Sequence, residues 1–186
     1  MYTDQKRPRK RKYQLQLKER LNKKDYNHGT IVVLCGPNPK KAIKYHQKLY
    51  KECVLVENDI DTFHKAKRKY DNIKDKSITL RYGDIFDVIN CRKDKITGID
   101  FDFCTTLNDE LYFQILDAIQ PLKQNKVWIR ITTSYRRMPK EILDIKKQVL
   151  KQYIKENSGY KVIDEVSIGY RDTSPMNVWQ IQLEKK

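Results

Sequence analysis

Apolar residues along this chain fall into short continuous runs that alternate with longer stripes at helical spacing. The first run, Thr30-Ile-Val-Val-Leu-Cys35, is β-branched throughout, as a strand buried on both faces requires, and Gly36-Pro37-Asn38-Pro39 breaks it. A helix is predicted over residues 39–51, with Ala42, His46, Leu49 and Tyr50 on one face. Residues 53–56 form a second strand ending at Glu57-Asn58-Asp59, and Phe63, Ala66 and Tyr70 mark the next helix. The third strand spans 77–82 and is closed by Gly83-Asp84. Residues 98–103 are the fourth, and Leu107, Leu111, Ile115 and Ile119 stripe the helix after it. Residues 126–132 are the fifth. The helix that follows starts with Pro139 at its first position, stops at Gly159 and carries Ile142, Ile145, Val149 and Tyr153 among its apolar residues.

Strands and helices in alternation imply βαβ units, and right-handed crossovers make a doubly wound parallel sheet the simplest architecture. The end of the chain departs from that rhythm. Residues 161–168 and 177–183 are both strand-like, and the segment between them is too short for a crossover helix, so they are expected to pair as an antiparallel hairpin.

A chain of 186 residues has room for one domain with a substantial core, so a single domain and not a multidomain enzyme is expected. Its 39 Lys and Arg against 24 Asp and Glu give a net charge of +15. Ten basic and three acidic residues place +7 of this in residues 1–28 and leave +8 for residues 29–186. The run Lys6-Arg7-Pro8-Arg9-Lys10-Arg11-Lys12 resists compaction by its own repulsion and suits an arm that binds phosphates or reads as a localisation signal; a solvated tail is the plainer reading. Tyr13, Leu17 and Leu21 then recur at i, i+4, i+8 among basic residues, an amphipathic helix expected to lie on the domain that begins at residue 29. No apolar run is long enough for a membrane span or signal peptide, and Cys35, Cys53, Cys91 and Cys104 are too scattered for a disulfide framework. The expectation is an intracellular protein, cytoplasmic or nuclear, with reduced thiols and nucleic acid as its partner.

In an open α/β sheet, ligands sit beyond the carboxyl ends of the strands, near the point where strand order reverses. Those ends carry the unusual residues here. Gly36-Pro37-Asn38-Pro39 permits close backbone approach and opens a helix whose first amides can receive a polar ligand. Glu57 follows Gly36 by 21 positions, near the spacing at which Rossmann-type folds hold a ribose hydroxyl. Asp84 ends the third strand and Asp102 sits near the end of the fourth. Three acids at successive strand ends point to a nucleoside pocket.

On these residues the chain, over about 29–185, resembles the class I S-adenosylmethionine-dependent methyltransferases. Ile31-Val-Val-Leu-Cys-Gly-Pro37 is similar to the glycine-containing first motif, Val54-Leu-Val-Glu-Asn-Asp59 to the acidic second, and Tyr82-Gly-Asp-Ile85 to the third. The resemblance implies a seven-stranded sheet, mostly parallel with an antiparallel terminal strand pair, and S-adenosylmethionine as cofactor. It implies that Cys35, Gly36, Pro37, Glu57, Asn58, Asp84 and Ile85 bind that cofactor, with Glu57 on the ribose hydroxyls, Asp84 on the adenine amino group and Ile85 against the ring. Asp100-Phe-Asp-Phe-Cys-Thr105 occupies the place of the fourth motif, without the two prolines of the amino-methylating members. The first motif retains Gly36 alone of its usual two or three glycines.

Methyl transfer from a sulfonium is an in-line displacement, so the protein mainly orients donor and acceptor. Asp102 is the candidate to accept a hydrogen bond from a base amino group, and Phe103 the candidate to stack on an unpaired or flipped base. The plainer readings are that Asp102 caps the next helix and Phe103 fills the core. Cys104 as a covalent nucleophile is a minor alternative to a packed thiol. His46 and His64 read as ordinary helix residues, and no cysteine pair with histidine suggests a metal site. Arg130, Tyr135, Arg136 and Arg137, on or after the fifth strand, suit phosphate contact and stacking, as Arg7, Arg9, Lys10, Arg11 and Lys12 suit the polymer backbone; a solvated loop is the alternative for the former group. Two functions remain open: a methyltransferase acting on RNA or DNA, and a methyltransferase-like subunit without catalysis that binds nucleic acid or a partner protein. A nicotinamide oxidoreductase explains neither the basic arm nor the terminal hairpin.

Overall fold

The computed structural model describes residues 29–44, 46, 49–134, 138–171 and 175–186. Seven strands form one sheet: β1 (Thr30–Leu34), β2 (Glu52–Glu57), β3 (Ile78–Tyr82), β4 (Ile96–Thr106), β5 (Lys126–Ser134), β6 (Tyr160–Arg171) and β7 (Pro175–Lys185). Their spatial order is β3-β2-β1-β4-β5-β7-β6. The first five are parallel, and β7 runs antiparallel to both β5 and β6. The order therefore reverses between β1 and β4, and the terminal hairpin extends the sheet as the sequence predicts.

Helices α1 (Pro39–Ile43), α2 (Ile60–Tyr70), α3 (Ile85–Arg92), α4 (Asp109–Ile119) and α5 (Lys140–Asn157) connect the parallel strands and the hairpin. The strand residues alternate between two cores. Val32, Val54, Ile99, Phe101, Ile129 and Ile181 face the core under α3, α4 and α5. Ile31, Val33, Cys53, Leu55 and Trp128 face the one under α1 and α2. Central strands buried on both faces carry the continuous apolar runs from which they were read.

One expectation needs correction, and the structure adds two features to the sequence reading. The helix expected over 39–51 is a single turn, α1, followed by tighter i to i+3 bonds from His46 N to Ile43 O and from Leu49 N to His46 O, both 2.8 Å. His46, Leu49 and Tyr50 are nevertheless buried on one side, so the face is right and the helix type is not. Helix α3 lies between the third and fourth strands, where no long apolar stripe marks a helix. Its signal is present in the sequence: Asp84 accepts from Phe86 N at 2.7 Å as the N-cap, and Ile85 and Ile89 recur at i, i+4 as its buried residues. In α5 the inward residues are Leu143, Lys147, Leu150 and Ile154, while Ile142, Ile145 and Val149 are exposed. This helix carries two overlapping apolar stripes, and packing on the sheet selects the one containing leucine.

Candidate cofactor site at the strand ends

Short backbone bonds hold the carboxyl ends of β1, β2 and β3 side by side. Cys35 N donates to Val56 O at 2.9 Å, and Gly83 N donates to Glu57 O at 3.1 Å. Gly36 then turns the chain with φ of +58°, a conformation that side-chain-bearing residues avoid. A Cβ at Gly36 would meet nothing within 4 Å, so glycine serves the turn and leaves open space above it. Lys69 of α2 reaches across and donates to Pro37 O at 2.8 Å, fastening the loop.

Glu57 is half-buried at the end of β2, and its Oε1 accepts from Asp59 N at 3.0 Å. Asp59 in turn caps α2 by accepting from Thr62 N at 2.7 Å. The Glu57 carboxylate is close enough to act on Cys35. Burial, helped by that negative charge, pushes the Cys35 thiol up to about 12, so it stays protonated and inert. Asn58 is exposed next to Glu57.

Asp84 is half-buried and holds Phe86 N through Oδ1. Ile85, the residue after it, is buried in the main core with Ile89. Sequence reasoning missed the aromatic wall beside these acids. Tyr82 is the register partner of Glu57, is 55% exposed, and meets Phe63 edge-on with ring centroids 5.4 Å apart. The signal available was a tyrosine immediately before Gly83-Asp84.

Asp102 and Phe103 follow on β4 and point to opposite faces of the sheet. Asp102 is half-buried beside Thr132 of β5. The alternative role for it, capping the next helix, belongs to Asn108, whose side chain accepts from Leu111 N at 2.9 Å. Phe103 stacks on Phe101 with centroids 5.3 Å apart, and Phe86 lies 6.2 Å from it on the same core.

Beneath Asp102, on its own face of β4, is a fully buried polar cluster. Asp100 is 0% exposed and is flanked in the sheet by Arg130 of β5. Arg130 Nη2 and Nε both donate to its carboxylate, and His46 Nε2 donates to Oδ2 at 2.9 Å. Trp128 and Tyr50 wall the histidine, their ring centroids 5.9 and 6.2 Å from it. Burial alone would raise the Asp100 carboxyl; the guanidinium and the imidazole outweigh it and hold it below the usual carboxylate range. Arg130 is thus a core residue and not the phosphate contact that its place on β5 suggested, and His46 is not an ordinary helix residue. Arg7, Arg9, Lys10, Arg11, Lys12, Tyr135, Arg136 and Arg137 lie outside the described residues. Among the described residues no helix is long and apolar enough to cross a membrane, and no His, Cys, Asp and Glu group is arranged to hold a metal ion.

The fold aligns with M. jannaschii TYW2 in complex with AdoMet at a TM-score of 0.62 and 15% identity, over 100% of this chain and 78% of that one. It aligns with the Methanococcus jannaschii fibrillarin pre-rRNA processing protein at 0.61 and 14%, over 85% and 67%. The chain has the class I methyltransferase fold. An rRNA methylase from Streptococcus thermophilus shares this methyltransferase architecture with a TM-score of 0.54 and 11% identity, over 91% of this chain and 94% of that one. No protein-family model and no curated protein matches the sequence.

Proposed function

We propose that this protein is an S-adenosylmethionine-dependent methyltransferase that acts on nucleic acid. The observation that carries the reading is the convergence of Gly36, Glu57 and Asp84 at neighbouring strand ends, on the β1-β2-β3 side of the point where strand order reverses. The donor set suits the cofactor. Glu57 offers a carboxylate to paired ribose hydroxyls, Asp84 offers one to an exocyclic amine, and the left-handed Gly36 leaves the approach to the backbone clear. Tyr82 adds an exposed ring beside Glu57 and Asp84 against which a flat base can lie.

Bound S-adenosylmethionine would supply an electrophilic methyl group on a sulfonium sulfur. The chain's own residues then have to orient the acceptor. Asp102, in the C-terminal half of β4, accepts a hydrogen bond from the acceptor's N–H, which turns the nitrogen lone pair toward the donor and stabilises the positive charge growing on it. The buried Asp100–Arg130–His46 cluster fixes the strand on which Asp102 sits. The +15 charge and the polybasic run at 6–12 support a polyanionic substrate, and the names of the rRNA methylase and pre-rRNA processing neighbours point the same way.

Transfer of a radiolabelled methyl group from S-adenosylmethionine to total RNA and to genomic DNA tests this. The account expects label in one polymer and a fall of about 100-fold in Asp102→Ala. Label in neither, under conditions where the cofactor binds, contradicts it. A second reading, a non-catalytic subunit on the same scaffold, is favoured by Phe103, whose ring is engaged with Phe101 and Phe86 where a base would otherwise stack.

A further inference from the structure

Helices α4 and α5 lie side by side over β4, β5 and β7, and their outer surface differs from the rest of the protein. Ile142, Ile145 and Val149 of α5 are 42%, 56% and 50% exposed, and Phe113 of α4 is 59% exposed. The three α5 residues follow i, i+3, i+7 spacing and so form a straight stripe along the helix. Lys146 joins the two helices: its Nζ donates to Leu107 O at 3.1 Å and pairs with Asp109, and it lies 5.5 Å from the Tyr112 ring centroid. Phe113 is one residue beyond that ring, so the exposed apolar residues stand on two helices already held together. Exposed apolar groups clustered in this way mark a surface that another molecule covers.

The charge around the stripe identifies what kind of molecule. Helix α4 carries Asp109, Glu110 and Asp117 and no basic residue, all three acids being exposed. On α5, helical spacing puts Glu141 and Glu156 along the stripe, with Lys146 as the base that reaches it. Lys147 and Lys151 turn instead to β6, where they bond Ser167 at 2.7 Å and Glu165 at 2.9 Å. The stripe is therefore rimmed by five carboxylates and one ammonium that is already paired with Asp109, on a chain whose net charge is +15. Such a face repels nucleic acid. It is complementary to a protein segment that is apolar on one side and basic on the other.

We propose that the α4–α5 face is a docking surface for an amphipathic basic helix of a partner protein, laid along Ile142, Ile145, Val149 and Phe113 with its lysines or arginines over the acidic rim. The inference is independent of the methyl-transfer reading, since it uses none of Gly36, Glu57 and Asp84.

The test uses the full chain and fluorescein-labelled synthetic peptides about four turns long. One has leucines at i, i+3, i+4, i+7 and lysines elsewhere, the second has glutamates for the lysines, and the third is the scrambled lysine sequence. On a strongly cationic protein a cationic peptide binds only where the local field is negative. Fluorescence anisotropy is expected to show the amphipathic lysine peptide binding at least about tenfold tighter than the other two, and Ile145→Lys weakening it by about tenfold or more. Ile145 is exposed, so this variant keeps its fold, which its melting curve checks. Equal binding of the three peptides, no binding, or affinity unchanged in Ile145→Lys overturns the proposal. So does sedimentation showing that Ile145→Lys dissolves a dimer, which would make a second copy of the chain the occupant.

Discussion

Asp100 and Arg130 are register partners on β4 and β5, and their side chains form an ion pair that is almost wholly buried, with His46 closing it from α1's side. Removing the cation strands a carboxylate in the core. Arg130→Met is expected to cost about 3–5 kcal/mol in urea unfolding. The sign of the pH effect follows from the lowered Asp100 carboxyl, a group that stabilises the fold above its unfolded value and loses that contribution as pH falls through the folded one. Wild-type stability should fall on acidification below about pH 4, with the same contribution from Glu52, which Arg92 and Thr30 lower against burial. Arg130→Met should show a flatter acid limb, and an unchanged limb would show that Asp100 does not carry it.

Gly36 adopts φ of +58° with empty space where a Cβ would stand. Gly36→Ala therefore meets strain without collision, about 1–2 kcal/mol of stability by thermal unfolding. Cofactor affinity should fall further than stability does, because the alanine methyl enters the space above the loop; an affinity change no larger than the stability change would remove Gly36 from the site.

Burial pushes the Cys53 thiol up to about 12, as it does with Cys35, whereas Cys91 is exposed. Of these three, Cys91 should be alkylated first by iodoacetamide at pH 8, with Cys35 and Cys53 protected until the protein unfolds, as read by peptide mass spectrometry. Early labelling of Cys35 would mean that the end of β1 opens in solution.

Residues 1–12 contain six Lys and Arg and one Asp. If the run contacts phosphates, its deletion should weaken polymer binding and reduce the slope of log affinity against log salt by about 4 for a single strand. An unaltered slope assigns polymer binding elsewhere.

The sheet was legible because central strands buried on both faces leave continuous β-branched runs, such as 30–35 and 126–132, and because the final pair lacks room for a crossover helix. The strand-end positions of Gly36, Glu57 and Asp84 followed directly from those boundaries, whereas β4 continues past the expected 98–103 to Thr106 and so leaves Asp102 inside the strand. Less visible was whatever depends on contacts distant in sequence. Nothing local to His46, Asp100 or Arg130 says that they meet, since each comes from a different element and only the β1-β4-β5 adjacency brings them together. Likewise α5 offers two apolar stripes of similar quality, and the sheet beneath it decides which one is core. The short α3 is hidden for a different reason: Asp84 is at once a strand-end acid and the N-cap of a helix only eight residues long.

The most direct test of the central claim is calorimetric titration of the full chain with S-adenosylmethionine and S-adenosylhomocysteine, for the wild type and for Glu57→Ala. The account predicts micromolar binding to the wild type and its loss in Glu57→Ala, with thermal unfolding and nucleic-acid affinity of the variant unchanged. No binding at millimolar ligand, with or without nucleic acid, or equal binding by the two proteins, would contradict it.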